Sequence, residues 1–201
     1  NIDVKSIDKI TNYPSILGGR VKTLHPKIFA GILNRFENSN DQKEMKKFQI
    51  SNIDMVIVDL YPFQETLEMT NDEKEIIEKI DIGGVSLIRA AAKNYKDILV
   101  ISSKKDLKSA ENLIAKKNCS SDINDRLLFA KKAFNVTSKY EILISNYFNK
   151  QFNHELFPED FKSVFTNATN LRYGENPHQK GMYYGDIHEI FDQLSGKAIS
   201  Y

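Results

Sequence analysis

Tryptophan is missing from this chain of 201 residues, cysteine occurs once and proline five times. The lone Cys119 excludes an internal disulfide framework and suits a reducing compartment. No apolar run approaches the roughly 20 residues that span a bilayer. Residues 1–15 are polar and mixed in charge, with no secretory signal pattern. Neither sign of charge dominates: 28 basic residues against 27 acidic ones leave +1. That balance argues against a nucleic-acid partner held through its phosphates. His25 has no second His or Cys at metal-ligand spacing, so no metal site is expected. The length suits one domain with a real core plus a remainder. The chain opens on Asn1 without a Met and stops at Tyr201 just after a turn-like stretch, so both ends read as cuts in something longer.

What is present is organised around residues 79–103, KIDIGGVSLIRAAAKNYKDILVISS. Gly83-Gly84 follows Asp81, and the Ala- and Leu-rich run from Val85 to Lys93 predicts a helix. Ile98 to Ile101 predicts a buried strand. Glycines opening a helix let a ligand approach backbone N–H groups at the positive end of its dipole. The same pattern also describes an ordinary connection between strand and helix, with solvated charged ends.

Further strands are expected near residues 2–7, 28–33 and 54–60, besides 97–102. Ile53 to Leu60 (IDMVIVDL) has the near-continuous apolar character of a parallel strand covered on both faces. Helices are expected around Gln42–Phe48, over Asn71–Ile80 with Asn71 or Asp72 as cap, over Lys104–Lys117, and over Asp125–Phe148. The aromatics of that last helix read as core or interface. Strands alternating with helices give an α/β class with a mainly parallel sheet. Residues 151–170 read as a linker. There are no internal repeats.

Three stretches look unlike core. GGRVKTLHPK at 18–27 presents Arg20 and Lys22 from a glycine-freed loop, or is simply a basic surface loop. Asp59 and Tyr61 stand just past the best strand, where ligands sit in open parallel sheets, although Tyr61 also suits plain packing. LRYGENPHQK at 171–180 concentrates Arg172, Tyr173 and His178 around a glycine turn.

These motifs, GGRVKTLHPK, DLYPF, IDIGGVSLIRAAAKN and LRYGENPHQK, occur together and in order. The set resembles the AICAR transformylase/IMP cyclohydrolase family of purine biosynthesis. The resemblance covers roughly residues 2–180. It implies a three-layer αβα cyclohydrolase domain similar to methylglyoxal synthase at 1–150, without its N-terminal strand. A linker at 151–170 and the beginning of the transformylase domain at 171–201 would follow.

The chemistry implied is closure of formyl-AICAR to IMP with loss of water, needing no cofactor or metal. A parent chain would also formylate AICAR from 10-formyltetrahydrofolate. By resemblance Lys93 exchanges the proton, with Asp81 as its partner near the carboxamide. Lys22 and Tyr61 would stabilise or protonate the formyl oxygen. Arg20, Val21, Lys22 and Thr23, Val58 and Asp59, and Asp81 and Ile82 match nucleotide-contacting segments, and Arg172 and Tyr173 match AICAR contacts. A cytoplasmic homodimer acting on a small nucleotide, with no nucleic-acid or membrane partner, is implied as well. The alternative is a non-catalytic, phosphate-binding regulatory domain of the same fold.

The chain departs from the family at Asp59, where many relatives carry Asn, and at Val136, where many carry His. The family's glycine-rich phosphate loops, the Lys-His catalytic motif and the folate site of the transformylase have no counterpart here. A straight helix would also separate Asp81 from Lys93 by roughly 15 Å, at 1.5 Å per residue.

Overall fold

The computed structural model describes residues 3–151, 160–189, 192 and 194–196. The chain divides into two compact units, Asn1–Phe148 and Asn149–Tyr201.

In chain order the elements up to the end of the long helix are α1 (Ile7–Thr11), α2 (Pro26–Leu33), α3 (Ser39–Lys47), β1 (Met55–Ile57), α4 (Phe63–Met69), α5 (Glu73–Glu78), α6 (Gly83–Lys93), β2 (Leu99–Ile101), α7 (Lys104–Lys116) and α8 (Ile123–Gln151). β1 and β2 pair in parallel with Val56 opposite Val100. The Val58 N–H extends the ladder by donating to Ile101 O at 2.9 Å. Every residue of β2 is buried, as a parallel strand covered on both faces should be.

The α/β class read from the sequence therefore holds. α6 packs on both strands, and α7 on β2. Because α6 leads straight into β2, it runs antiparallel to the strands. Its first turn lies at their carboxyl ends and its last turn at their amino ends.

The larger core joins Ile88, Ala91 and Ala92 of α6 to Ile28 and Ile32 of α2, to β2, and to Phe129, Ala130 and Ala133 of α8. The alanines matter because a side chain of one carbon lets α6 approach its neighbours closely. A second cluster gathers Phe63, Ile76, Val85, Tyr140 and Tyr147. Phe63 is 1% exposed and meets Tyr140 and Tyr147 edge-on, with ring centroids 6.0 Å apart in each case.

Two expected strands are not strands. Residues 28–33 lie inside helix α2. His25 caps that helix by accepting from the Lys27 N–H at 3.2 Å, and Pro26 takes the first helical position, where a missing N–H costs nothing. A six-residue apolar run fits a buried helix as well as a strand, and Ile28 and Ile32, four apart, face the core together. At 2–7, Ile2 lies outside the described residues. Residues 3–6 form no regular element and Ile7 begins α1. The helices expected at 42–48, 71–80, 104–117 and 125–148 are all present, with Asp72 capping α5 through the Lys74 N–H at 2.8 Å.

In the second unit β3 (Ala168–Asn170) pairs antiparallel with β4 (Met182–Tyr184). The intervening loop is fastened by Gln179. Its carbonyl accepts from the Gly174 N–H, and its Oε1 accepts from the Asn176 N–H, each at 2.9 Å.

The link from α2 to α3 carries a pH-dependent contribution. The Arg35 Nε and Nη2 donate to the two oxygens of Asp41, both at 2.8 Å, and the Arg35 N–H adds a third bond at 2.9 Å. The guanidinium first, and the backbone N–H second, hold the Asp41 carboxyl down at about 2. A carboxylate lowered on folding stabilises the fold above its unfolded pKa and loses that contribution as pH falls through the folded value. The window therefore runs from 3.8 down to about 2. Asp122, held by Lys117, titrates over the same range, so the informative comparison is variant against wild type. Asp41→Asn should lose less thermal stability than wild type across this window. Parallel melting curves would show that the Arg35 clamp contributes nothing.

Candidate functional site

Three chain segments meet at the carboxyl ends of β1 and β2, and the first turn of α6 is their common floor. Asp81 fixes that turn. Its Oδ1 accepts from the Gly84 N–H at 2.6 Å, satisfying one of the N–H groups that a helix start leaves without a backbone partner. The contact in this geometry depends on glycine, since a Cβ on residue 84 would stand 2.5 Å from Asp81 Oδ2 and 2.9 Å from Oδ1 and would push the carboxylate aside. Gly83 is constrained from the other side, where its own Cβ would come 2.9 Å from Thr23 Oγ1. The glycine pair thus makes room for two polar side chains, one from the adjacent turn and one from the 18–25 loop.

That loop turns back on itself, with Ile16 and Val21 exchanging backbone hydrogen bonds of 3.1 and 3.4 Å. It is tied to the end of α5 by an Arg20–Glu78 ion pair at 2.5 Å. Both partners are more than half exposed, so the pair directs the loop more than it stabilises it. Lys22 is exposed beside Thr23.

The third segment follows β1. Asp59 pairs with Lys104 at the start of α7, at 2.9 Å. The Asp59 carboxylate, through its hydrogen bond, raises the Lys104 ammonium above its ordinary range. Tyr61 is 56% exposed, so its ring is not packed into the core of this chain. The Lys79 ammonium lies 5.8 Å from its ring centroid, within cation–π range. Arg20, Val21, Lys22, Thr23, Val58, Asp59, Tyr61, Asp81 and Ile82 are therefore carried by the three segments at this edge.

Lys93 is not among them. α6 runs unbroken from Gly83 to Lys93, and ten steps of 1.5 Å put about 15 Å of helix between the Asp81 turn and Lys93. The expected pairing of Asp81 with Lys93 is absent, because an uninterrupted helix holds its two ends apart. Lys93 instead lines a groove of about 870 Å³ with Arg35, Asp41, Tyr95 and Asp97. Its neighbour Asn94 is buried there, donating to Ile32 O at 2.9 Å and Asn34 O at 2.8 Å. In the second unit, Arg172 is exposed with its guanidinium 6.0 Å from the Tyr173 ring centroid.

Sequence reading did not single out Lys79, Glu78 or Lys104. It read Tyr140, with the other aromatics of α8, as core or interface, and the buried cluster holds it, but the reach of its hydroxyl went unread. The Tyr140 hydroxyl accepts from the Asp81 N–H at 2.8 Å and donates to Lys79 O at 2.6 Å. No local pattern marks a contact across about 60 residues.

Comparison with known proteins matches residues 1–86 to an MGS-like domain and residues 91–201 to the AICARFT/IMPCHase bienzyme model. The bifunctional purine biosynthesis protein PurH of Bacteroides thetaiotaomicron is 49% identical over 98% of this chain and 38% of its own length. PurH of Clostridium perfringens strain SM101 is 44% identical over all of this chain and 40% of its own length. PurH of Petrotoga mobilis is 43% identical, over 41% of its own length. The chain thus spans about two fifths of the curated relatives it matches. Among solved structures, that of ForH superposes with a TM-score of 0.64 at 30% identity, over 75% of this chain and 77% of that one.

The Asp81–Gly84 contact can be tested by a double-mutant cycle. Alanine for glycine inside a helix ordinarily gains about 1 kcal/mol, and losing a cap costs about the same. Gly84→Ala should destabilise the wild-type protein and stabilise the Asp81→Ala variant, read from denaturant midpoints. The same effect in both backgrounds would mean that the carboxylate does not occupy the space over Gly84.

Proposed function

This chain belongs to the AICARFT/IMPCHase bienzyme family, and on that premise we propose that its carboxyl-edge site closes the second ring of a purine nucleotide. The reaction is cyclisation of formyl-AICAR to IMP. The carboxamide nitrogen forms a bond to the formyl carbon and gives up one of its two protons, the formamide nitrogen gives up its one, and the former formyl oxygen leaves with both as water. Both reacting groups belong to one molecule, so the work is orientation and proton transfer.

The observation that carries the proposal is the meeting of Thr23 and Asp81 on the first turn of α6, with Lys79, two residues before Asp81, over the Tyr61 ring. Asp81 Oδ1 is committed to Gly84, so Oδ2 is the oxygen assigned to the carboxamide proton. Lys22 is assigned to the oxygen on which negative charge develops, where a fixed cation is worth most. Tyr61 assists as a neutral donor. Arg20, Val21, Thr23, Val58, Asp59 and Ile82 are assigned to holding the nucleotide. Asp59, already paired with Lys104, brings less net charge to the base than a lone carboxylate would.

The direct acid–base work falls to Asp81, Lys22 and Tyr61, because Lys93 of the same chain stands at the far end of α6. The ring closure so described draws on these side chains alone. Residues 1–150 are assigned to the cyclohydrolase half, 151–170 to a linker and 171–201 to the start of the transformylase half. Arg172 and Tyr173 are assigned to AICAR in that second half, with 10-formyltetrahydrofolate as formyl donor. A cytoplasmic homodimer completes the proposal. Among the described residues no helix is long and apolar enough to cross a membrane.

Ring closure by the intact enzyme, followed through purine absorbance, tests the assignment. Lys22→Ala should lower kcat by about 100-fold, the scale of one oxyanion donor. Tyr61→Phe should lower it less, since hydrogen bonds to a charged donor are about twice as strong as neutral ones. A Lys22→Ala enzyme within twofold of wild type would refute the site.

A further inference from the structure

We infer that Tyr140, on α8, is a positioning residue that holds Asp81 for the ring-closing step. The inference rests on the reading of Asp81 given above and adds a residue to it. Tyr140 is 7% exposed, and its hydroxyl is used in both directions. It accepts from the Asp81 N–H at 2.8 Å and donates to the Lys79 carbonyl at 2.6 Å. One oxygen thus clamps Lys79 and Asp81 within the four-residue link, 79–82, between α5 and α6.

That turn carries two groups of the site: Lys79 over the Tyr61 ring and Asp81 over the start of α6. The Tyr140 ring meets Phe63 edge-on with centroids 6.0 Å apart, and Phe63 follows Tyr61 by two residues at the start of α4. The same side chain therefore supports the Asp81 turn through its hydroxyl and the Tyr61 segment through its ring. Burial pushes the phenol above its ordinary pKa, so it stays a donor to Lys79 throughout the neutral range.

Removing the hydroxyl strands a backbone N–H and a backbone C=O together. A turn that then moves to find water takes the Asp81 carboxylate with it. Displacement by a fraction of an ångström suffices to disturb a reacting geometry. The expected loss falls on the chemical step, because Tyr140 itself touches no substrate.

The test compares Tyr140→Phe with Phe63→Leu in the intact enzyme. Phe63→Leu loosens the same cluster and leaves both hydrogen bonds in place. Tyr140→Phe should speed amide exchange at Asp81 by about tenfold or more and lower kcat for ring closure by about tenfold, with KM within about twofold. Phe63→Leu should cost at least as much melting temperature while keeping kcat within about threefold. Equal kcat losses in the two variants would overturn the inference, as would unchanged Asp81 exchange in Tyr140→Phe. Asp81→Asn separates the two levels of the argument. If it closes the ring at the wild-type rate, the reading of Asp81 fails, while accelerated exchange in Tyr140→Phe still reports the tether.

Discussion

The carboxylate of Asp81 on the N–H of Gly84 is the contact around which the site is built. It starts α6 at a defined residue, and α6 in turn lies against both strands of the parallel pair. Along α6, Val85 joins one buried cluster and Ile88, Ala91 and Ala92 the other. The same contact brings a carboxylate, a glycine-bared helix terminus and the Thr23 hydroxyl into one place. Structural and chemical demands meet in one residue pair, and Gly84 is the residue that allows it.

Much of this was legible in the sequence and some was not, for reasons that differ by residue. Helices α5 to α8 announce themselves through apolar spacing and composition, and α5 also through its cap, since these signals are local. β1 and β2 are legible as apolar runs, although only their central residues enter the ladder. The 28–33 run misled because its length fits two structures equally, and the decisive signal, His25-Pro26 as cap and first residue, lies outside it. The motifs in three separate loops drew attention to Thr23, Asp59, Tyr61 and Asp81, and of these the structure sets Thr23 and Asp81 against the same helix start. The separation of Lys93 from Asp81 follows from a single helix rise and was visible as a tension beforehand. Tyr140 was not legible, because a hydrogen bond between residues 81 and 140 leaves no periodic trace.

The two compact units call for separate readings. In the first, the covered parallel pair and α6 give a site whose parts all come from loops at one edge, the usual place for ligands in open α/β sheets. In the second, a short hairpin and a loop fastened by Gln179 present Arg172 beside Tyr173. Family membership ties both to the same bienzyme, while the chain covers about two fifths of its curated relatives. The chemistry proposed for the first unit is assigned to residues within the chain.

The central claim is that one end of α6 holds the purine and the other does not. The measurement that tests it most directly is a crystal structure of the intact protein with IMP bound. The account predicts the purine ring within hydrogen-bonding distance of Asp81 and Lys22, with Lys93 of the same chain about 10 Å or more away. A purine touched by both Asp81 and Lys93 of one chain would contradict it.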